Sequence, residues 1–247
     1  MAAVNVTDSD SSVLVTMARA INASGRLQRL PGVPTPDWCE RAAAALVVLV
    51  PDGGVVVGLG RLGTSGSVVE VVGAGAAIGP LAVGAPSALM LRSAFERPRE
   101  FWWSAECAGP LWDWITGARL ACASAPLEGG RAAMLVSAAA PTGAAMWEAA
   151  LAKLMIPLTE ASRLAFGDGT LRPSEWLSPR EQDVLSGLIV GKSIREIAAE
   201  SGRSAHTVHD HVKNLHRKLR ANSRGELVAR ALGHAAAWPP AGGPGER

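Results

Sequence analysis

The segment from Leu177 to Leu232 repeats a signal for the start of a helix, and no other stretch restricts the fold as much. Ser178-Pro179-Arg180-Glu181 and Ser193-Ile194-Arg195-Glu196 each place a glutamate three residues after a serine. At this spacing the serine hydroxyl and the glutamate carboxylate satisfy backbone amides at a helix start, an arrangement called a capping box. Apolar residues then recur at helical spacing as far as Gly191 and Gly202, where glycine favours a helix end. The sequence therefore predicts two short helices in succession.

A third helical period follows Gly202 after a very short turn, with Ser204 as its predicted N-cap. Its apolar face comprises Val208, Val212, Leu215 and Leu219. Its opposite face is polar and carries His206, His209, Asp210, Lys213, Asn214 and Arg217. A fourth helix is indicated by Leu227, Val228, Ala231 and Leu232. Two short helices joined by a tight turn, the second with a long polar face, indicate a helix-turn-helix in an all-α, four-helix domain.

This segment is similar to the LuxR/FixJ-type helix-turn-helix family of transcriptional regulators, over about a quarter of the chain. The matching string is LSPREQDVLSGLIVGKSIREIAAESGRSAHTVHDHVKNLHRKLRANSRGEL. Its most specific marks are Arg180-Glu181, Val184-Leu185, Gly191, Glu196-Ile197-Ala198, Thr207-Val208, His211-Val212, Lys218-Leu219 and Arg224-Gly225-Glu226-Leu227. The resemblance implies that the protein binds double-stranded DNA and that the third helix enters the major groove.

The residues expected to contact DNA lie on and just after the third helix. They are Ser204, Ala205, His206, Thr207, His209, Asp210, Lys213, Asn214, Arg217, Lys218 and Arg224. Ala205, His206, His209, Asp210 and Lys213 are best placed to meet bases or phosphates. The resemblance implies that Thr207 and Lys213 bind the DNA backbone. His209 stands where many family members have lysine, and Asp210 adds a negative charge, so the base sequence that is recognised stays open.

Charge is concentrated where a DNA-binding surface requires it. Residues 1–170 hold 12 basic and 14 acidic side chains, whereas residues 203–224 hold 6 basic and 1 acidic. A concentrated positive surface attracts phosphates. All five histidines also lie in the C-terminal domain, which raises the alternative of a metal site. No cysteine or paired carboxylate joins them, so we expect no metal there.

The first two thirds of the chain indicate an α+β domain. We expect, in order, a helix within Val13 to Leu30, strands at Ala45 to Val50, Val55 to Leu59 and Val68 to Val72, a helix at Ser87 to Phe95, a hairpin of Arg119 to Ala125 with Ala132 to Ala138, and a long helix from Pro141 to Phe166. An antiparallel sheet with flanking helices is typical of sensor domains. The order of elements is similar to the GAF and PAS families, and the flanking helices favour GAF.

Four tryptophans cluster between Phe101 and Trp114, at Trp102, Trp103, Trp112 and Trp114. Large aromatic side chains can line an apolar ligand pocket. They also occur in an ordinary core, which is the more frequent outcome, or on a surface that contacts a partner. A pocket for a small-molecule effector is therefore one of three hypotheses for this cluster.

A seam in the long helix offers a route to dimerisation. Trp147, Leu151, Leu154, Leu158, Ala161 and Ala165 recur at alternating spacings of four and three residues, as in helices that pack along their length. The seam would pack either against its own sheet or against a second subunit. The fourth C-terminal helix has more apolar surface than a small core needs, so Leu227, Val228 and Ala231 are further candidates for a homodimer contact.

These patterns divide the chain into a domain at 1–166, a linker at 167–176, the helix-turn-helix domain at 177–236 and a disordered tail at 237–247. No cofactor is expected, because Gly58 to Gly63 spells the dinucleotide fingerprint but a strand, not a helix, follows it. Residues 1–170 contain no histidine, the usual general base, so an enzyme is not expected. No apolar run is long enough to cross a membrane and no secretory signal is evident, which favours a cytoplasmic protein with no membrane association.

The sequence thus predicts a transcriptional regulator with two domains, acting as a homodimer on DNA and controlled by a signal sensed in the N-terminal domain. The alternative is a transcription factor whose N-terminal domain binds a regulatory protein, or only mediates dimerisation, and has no small-molecule ligand.

Overall fold

The computed structural model of the chain describes residues 8–63, 68–78, 102–105, 118–127, 132–141, 146–166 and 176–232. The chain divides into two compact units. The first comprises Met1–Leu30 and Asp37–Ala161, and the second comprises Pro31–Pro36 and Ser162–Arg247. The sequence predicts one crossing between domains near residue 166, so the membership of Pro31–Pro36 in the second unit is unforeseen. Among the described residues no helix is long and apolar enough to span a bilayer.

Two helices precede the sheet of the first unit. Helix α1 covers Asp8–Leu27 and helix α2 covers Trp38–Leu46, with a short 3-10 turn at Val47–Leu49. The predicted strand at Ala45 to Val50 is therefore wrong. Its first residues belong to a run of alanines, which favours a helix. A short apolar run of this kind cannot be assigned to a strand or a helix by periodicity alone.

In the described part of the first unit, five strands form one antiparallel sheet in the order β2-β1-β5-β4-β3. The strands are β1 (Gly54–Leu62), β2 (Val68–Ile78), β3 (Trp102–Ala105), β4 (Ala118–Pro126) and β5 (Ala132–Pro141). The predicted hairpin is present as β4 and β5. The fingerprint-like Gly58 to Gly63 begins inside β1, whose residues pair with β2 on one side and β5 on the other.

Helix α2 lies very close to strand β2. A Cβ atom added to Gly75 of β2 would come within 2.1 Å of the backbone nitrogen of Glu40 in α2. Only glycine permits this approach of backbone to backbone. The Gly73-Ala74-Gly75 run therefore has a packing role in this fold.

Helix α3 covers Trp147–Phe166 and begins later than the predicted start at Pro141, which ends β5. Its residues up to Ala161 belong to the first unit. The side chains of Leu151, Leu154 and Leu158 are 1%, 5% and 0% exposed in the single chain. These three residues are therefore core, and the prediction that they form a dimer interface is wrong.

The second unit is all-α over its described residues. It contains α4 (Pro179–Ile189), α5 (Ile194–Ser201), α6 (Ala205–Lys218) and α7 (Arg224–Ala231). One apolar core joins them, which includes Leu177, Val184, Leu185, Leu188, Ile197, Ala198, Val208, Leu215, Leu219, Leu227 and Ala231. The fold class predicted from the sequence, an α+β domain followed by an all-α helix-turn-helix domain, is confirmed. Leu227 and Ala231 are 0% and 8% exposed, so their predicted role in a dimer contact is wrong, and Val228 is half-buried beside them.

The core of the second unit also takes in a residue from far away in the sequence. Val33 is 4% exposed and belongs to the same cluster as Leu177. The backbone nitrogen of Leu177 donates a hydrogen bond of 2.9 Å to the carbonyl oxygen of Pro34. The segment Pro31–Pro36 is thus held by both apolar and polar contacts within this unit.

Candidate nucleic-acid interface

Serine caps fix where the helices of the second unit begin. Ser178 and Ser193 form complete capping boxes, because each side chain accepts a hydrogen bond from the glutamate amide three residues on while that glutamate accepts from the serine amide. Ser204 accepts from the amide of Thr207 at 3.1 Å and so starts α6. Each cap is worth about 1 kcal/mol. Both predicted boxes are confirmed, and the start of α6 is as predicted.

The turn between α5 and α6 is set by Gly202. This residue adopts the left-handed conformation, with φ of 63°, where a Cβ would be strained. The amide of the next residue, Arg203, donates to the carbonyl oxygen of Ala198 at 2.9 Å. The chain therefore reverses within Gly202 and Arg203 before Ser204 caps the next helix. Two short helices in this relation form a helix-turn-helix.

One side of α6 is core and the other is open to solvent. Val208 and Leu215 are fully buried, at 0% exposure. The exposed residues of the helix are Ala205, His206, His209, Asp210, Lys213 and Arg217. They recur at helical spacing, so they form one polar stripe along the helix. The structure thus brings six of the eleven predicted DNA contacts onto a single surface, which we call the α6 face.

Close contacts between polar side chains on the α6 face centre on Asp210. Its carboxylate lies 3.6 Å from His206 Nε2 and 4.0 Å from Lys213 Nζ. Arg217 donates to the side-chain oxygen of the half-buried Asn214 at 3.2 Å. All these charges are well exposed, and exposed pairs contribute little to stability. They hold the cationic groups loosely, so the cations can turn towards an incoming phosphate.

Hydroxyl groups stand at the start of α6. The oxygens Ser204 Oγ and Thr207 Oγ1 lie 2.9 Å apart, close enough for one to donate to the other. Ser204 Oγ also accepts from the backbone amide of Thr207. Two hydroxyls carry two protons, and the bond between them uses one. The second proton is available for a phosphate oxygen at this helix N-terminus, where the helix dipole favours an anion.

Lys218 has a structural role, contrary to the prediction that it contacts DNA. Its side chain is 16% exposed. The ammonium group donates to the carbonyl oxygen of Trp176 at 2.7 Å and to Glu181 Oε2 at 2.8 Å. Burial alone would raise the pKa of Glu181, but hydrogen bonds from Lys218 and Ser178 outweigh it and lower this pKa. Lys218 thus ties the end of α6 to the start of α4.

Arg224 has a similar structural role. Its Nη2 donates to the carbonyl oxygens of Leu188 and Lys192, at 3.2 and 2.8 Å. The Leu188 carbonyl lies in the last turn of α4 and also accepts from the Gly191 amide at 3.1 Å, whereas Lys192 follows the helix. We therefore assign Lys218 to the framework of the domain. Arg224 is exposed while it makes these bonds, and its contact with DNA stays a prediction.

Two contributors were not predicted from the sequence. Glu181 was recognised as a capping residue but not as the partner of Lys218, since nothing in the spacing links residues so far apart. Arg203, half-buried in the turn, adds a basic group next to the start of α6. The concentration of basic residues from 203 to 224 was the signal that could have included it. No cluster of metal-binding side chains occurs in the part of the chain that the structure describes.

Comparison with known proteins agrees with this geometry. Residues 175–231 match the family GerE, described as bacterial regulatory proteins, luxR family. The chain is 36% identical over 94 residues to the probable HTH-type transcriptional regulator GfsR of Streptomyces halstedii, covering 38% of this chain and 37% of that protein. It is 45% identical over 56 residues to the transcriptional regulatory protein FixJ of Bradyrhizobium diazoefficiens, covering 23% and 27%. The chain thus matches only about a third of the length of these relatives.

The second unit therefore contains a helix-turn-helix domain of the DNA-binding type. More narrowly, residues 175–231 are a domain of the luxR family of bacterial regulatory proteins, which confirms the resemblance found in the sequence. Among solved structures, the Escherichia coli protein SdiA is 17% identical and covers 88% of this chain and 98% of its own, with a TM-score of 0.36. A score this low does not establish a common fold for the whole chains.

Proposed function

We propose that the protein is a transcriptional regulator that binds double-stranded DNA by placing α6 in the major groove. The observation that carries this is the α6 face, a solvent-exposed polar stripe on a helix whose opposite side is core, within a luxR-family domain. A helix with this division can enter the groove without exposing apolar residues. A cytoplasmic site of action follows from the proposed contact with bacterial DNA.

The exposed side chains of α6 divide into two groups by chemistry. Lys213, together with the Ser204 and Thr207 hydroxyls, suits phosphate oxygens, which orient the protein without reading sequence. His209 and Asp210 suit base edges, since a carboxylate accepts a hydrogen bond from the amino group of cytosine. Asp210 also repels phosphates, so it penalises placements that bring the backbone too near. Ala205 and His206 lie at the first turn, where recognition helices meet bases.

Removing the Lys213 ammonium tests the placement of α6. Lys213→Ala should weaken the binding of every DNA sequence and lower the salt slope by about one unit, because one phosphate contact is lost. The measurement is fluorescence anisotropy with sites selected from random DNA, repeated at several salt concentrations. Changing His209 or Asp210 to alanine should instead alter which sequences are preferred.

Lys153→Ala is the matched control, because Lys153 is an exposed lysine of α3 in the first unit. It removes the same charge from the chain and should leave the salt slope unchanged. Equal slopes for wild type and Lys213→Ala would contradict the placement of α6 in the groove.

We further propose that the first unit receives the signal that controls DNA binding. Support comes from its architecture, an antiparallel sheet preceded and followed by helices. The hypothesis of a tryptophan-lined pocket stays a prediction. Trp102 and Trp103 have their backbone on β3, whereas Trp112 and Trp114 lie outside the described residues. The alternative is that this unit binds a regulatory protein and no small molecule.

Native mass spectrometry of the freshly purified full chain distinguishes these two forms of control. A bound small molecule of defined mass, released on denaturation, would support an effector. A chain that carries no small molecule and retains a second protein would favour the alternative. A homodimer is part of the proposal as well, because one recognition helix makes too few base contacts for specific affinity and two half-sites supply more.

A further inference from the structure

Helix α1 has an apolar stripe that nothing in the described chain covers. Leu14, Met17 and Ile21 are 60%, 56% and 72% exposed. Nine large apolar residues are substantially exposed among the described residues, and four of them, including Val15, lie on this one helix. Scattered exposed apolar residues are normal, but a cluster on one helix indicates a contact surface.

The stripe lies opposite the side by which α1 packs in its own unit. Thr16, Ala23 and Leu27 are 8%, 0% and 1% exposed, and their helical positions are roughly half a turn from Leu14 and Ile21. The helix is therefore anchored on one side and apolar on the other. Ala18 and Gly25 are exposed within the same stripe, and a Cβ added at Gly25 would meet nothing within 4 Å. Such small residues let another helix come close.

We infer that the stripe on α1 is the homodimer interface, in which α1 of two copies packs antiparallel about a two-fold axis near Met17 and Ala18. In this register Leu14 of each copy faces Ile21 of the other, because both lie about equally far from the axis. A two-fold axis makes the stripe complementary to itself. The inference rests on the proposed homodimer but not on DNA binding.

Charge along the helix favours the antiparallel direction. The last turn has Arg26, with Arg29 just beyond, so the C-terminal end of the helix is basic. Antiparallel packing keeps the basic ends of the two helices apart, whereas parallel packing would bring these like charges together. Antiparallel packing also aligns the helix dipoles favourably.

The size of the stripe sets the expected strength. One helix of twenty residues is about 30 Å long, and a single helix face buries less than the roughly 800 Å² per partner of a standard stable interface. The dimer should therefore be weak without DNA, with a dissociation constant on the order of micromolar.

Sedimentation equilibrium of the full chain without DNA tests the surface. Ile21→Glu should weaken dimerisation at least ten-fold, because it places a charge opposite the partner copy's Leu14. Ile156→Glu is the matched control, since Ile156 is 68% exposed on α3 of the same unit, and it should dimerise as wild type does. Both variants should keep the wild-type circular dichroism spectrum, because neither side chain is buried.

Three outcomes would overturn the inference. A wild-type chain that stays monomeric to 100 µM would remove the dimer itself. If Ile21→Glu still dimerises as wild type does, the dimer exists but α1 is not its interface. Dissociation by Ile156→Glu alone would move the interface to α3. None of these measurements depends on DNA, so a failure here is distinct from a failure of the proposed DNA binding.

Distances between spin labels test the direction. With Cys107 and Cys122 replaced by serine, the remaining native cysteine is Cys39, which is buried, and burial raises the pKa of its thiol to about 12, so it should not react with the label. One further cysteine, at Ala18 or at Gly25, would then be introduced and labelled. In the antiparallel register the two copies of residue 18 are nearly level along the helix axis, whereas those of residue 25 are about 20 Å apart along it. Pulsed electron paramagnetic resonance should therefore find a much longer distance at 25 than at 18. Equal distances at both positions would contradict antiparallel packing.

Discussion

Replacing Lys218 by methionine is expected to destabilise the second unit by about 3 kcal/mol. The methionine keeps much of the length of the side chain but removes the ammonium group that bonds Glu181 Oε2 at 2.8 Å and the Trp176 carbonyl at 2.7 Å. Glu181 is 4% exposed, so the variant would leave a buried carboxylate without its counter-charge. Removing one partner of a buried salt bridge lowers the free energy of unfolding by about 3–5 kcal/mol. We take the lower end because Lys218 is partly exposed and Ser178 still donates twice to the carboxylate.

Hydrogen exchange measured by mass spectrometry reports on each unit of the full chain separately. A loss of 3 kcal/mol corresponds to exchange roughly 100-fold faster at the protected amides of α4 and α6. Amides of β1 and β5, in the first unit, should exchange as in wild type. Lys213→Met is the matched control, because Lys213 is 67% exposed, and it should change stability by less than about 0.5 kcal/mol.

The effect should also depend on pH. The pKa of Glu181 is lowered in the folded protein, so its contribution to stability is present above the unfolded pKa and is lost as the pH falls through the folded pKa. The difference between wild type and Lys218→Met should therefore be largest near neutral pH and shrink on acidification. Pairing Lys218→Met with Glu181→Gln should recover part of the loss, since the buried charge is gone. If the amides of α4 and α6 in Lys218→Met exchange no faster at neutral pH than those in Lys213→Met, this account is refuted.

Two further predictions concern the two units separately. Leu158→Glu should unfold the first unit, because the wild-type side chain is 0% exposed and the substitution would bury an unpaired charge, at a cost of at least about 3 kcal/mol. Circular dichroism and sedimentation measure folding and mass together. A variant that is folded but monomeric would restore the seam of α3 as a dimer surface. Gly202→Val should destabilise the second unit by about 1–2 kcal/mol, because a β-branched residue is strained at φ of 63°; an unchanged urea midpoint followed through α5 and α6 would contradict a strict need for glycine in this turn.

The helix-turn-helix was predictable because its signals are local. A capping box spans four residues, and the left-handed turn needs one glycine, so both can be recognised without knowing what lies nearby. Ser178, Ser193 and Gly202 consequently behave as the sequence predicts. The strand predicted at Ala45 to Val50 failed for the opposite reason, since a short apolar run takes its conformation from what it packs against.

The candidate site was predicted correctly where exposure follows helical period and wrongly where tertiary contacts intervene. Lys213 and Lys218 both appear basic and helical in the sequence. Only the structure shows that Lys218 reaches back to Glu181 and Trp176. The apolar surface of the helix that carries Leu227 and Ala231 was expected to be more than a small core could bury. That core is larger than predicted, because it also contains Val33. A helix within Val13 to Leu30 was expected, whereas the exposure of its apolar residues Leu14, Met17 and Ile21 becomes evident only once burial is known.

The place of Val33 in the second unit affects how the chain is made. Val33 and Pro34 are synthesised about 140 residues before Leu177, which shares a core with Val33 and is hydrogen-bonded to Pro34. At synthesis rates of roughly 5–20 residues per second the interval is about 7 to 30 seconds. The second unit therefore cannot complete its core until Ala231, the last residue of that core, has been synthesised. Any fragment that begins after Pro36 lacks Val33 altogether and leaves part of the apolar surface around Leu177 uncovered. A fragment that is to represent the DNA-binding unit faithfully has to restore this short segment, in cis or as an added peptide.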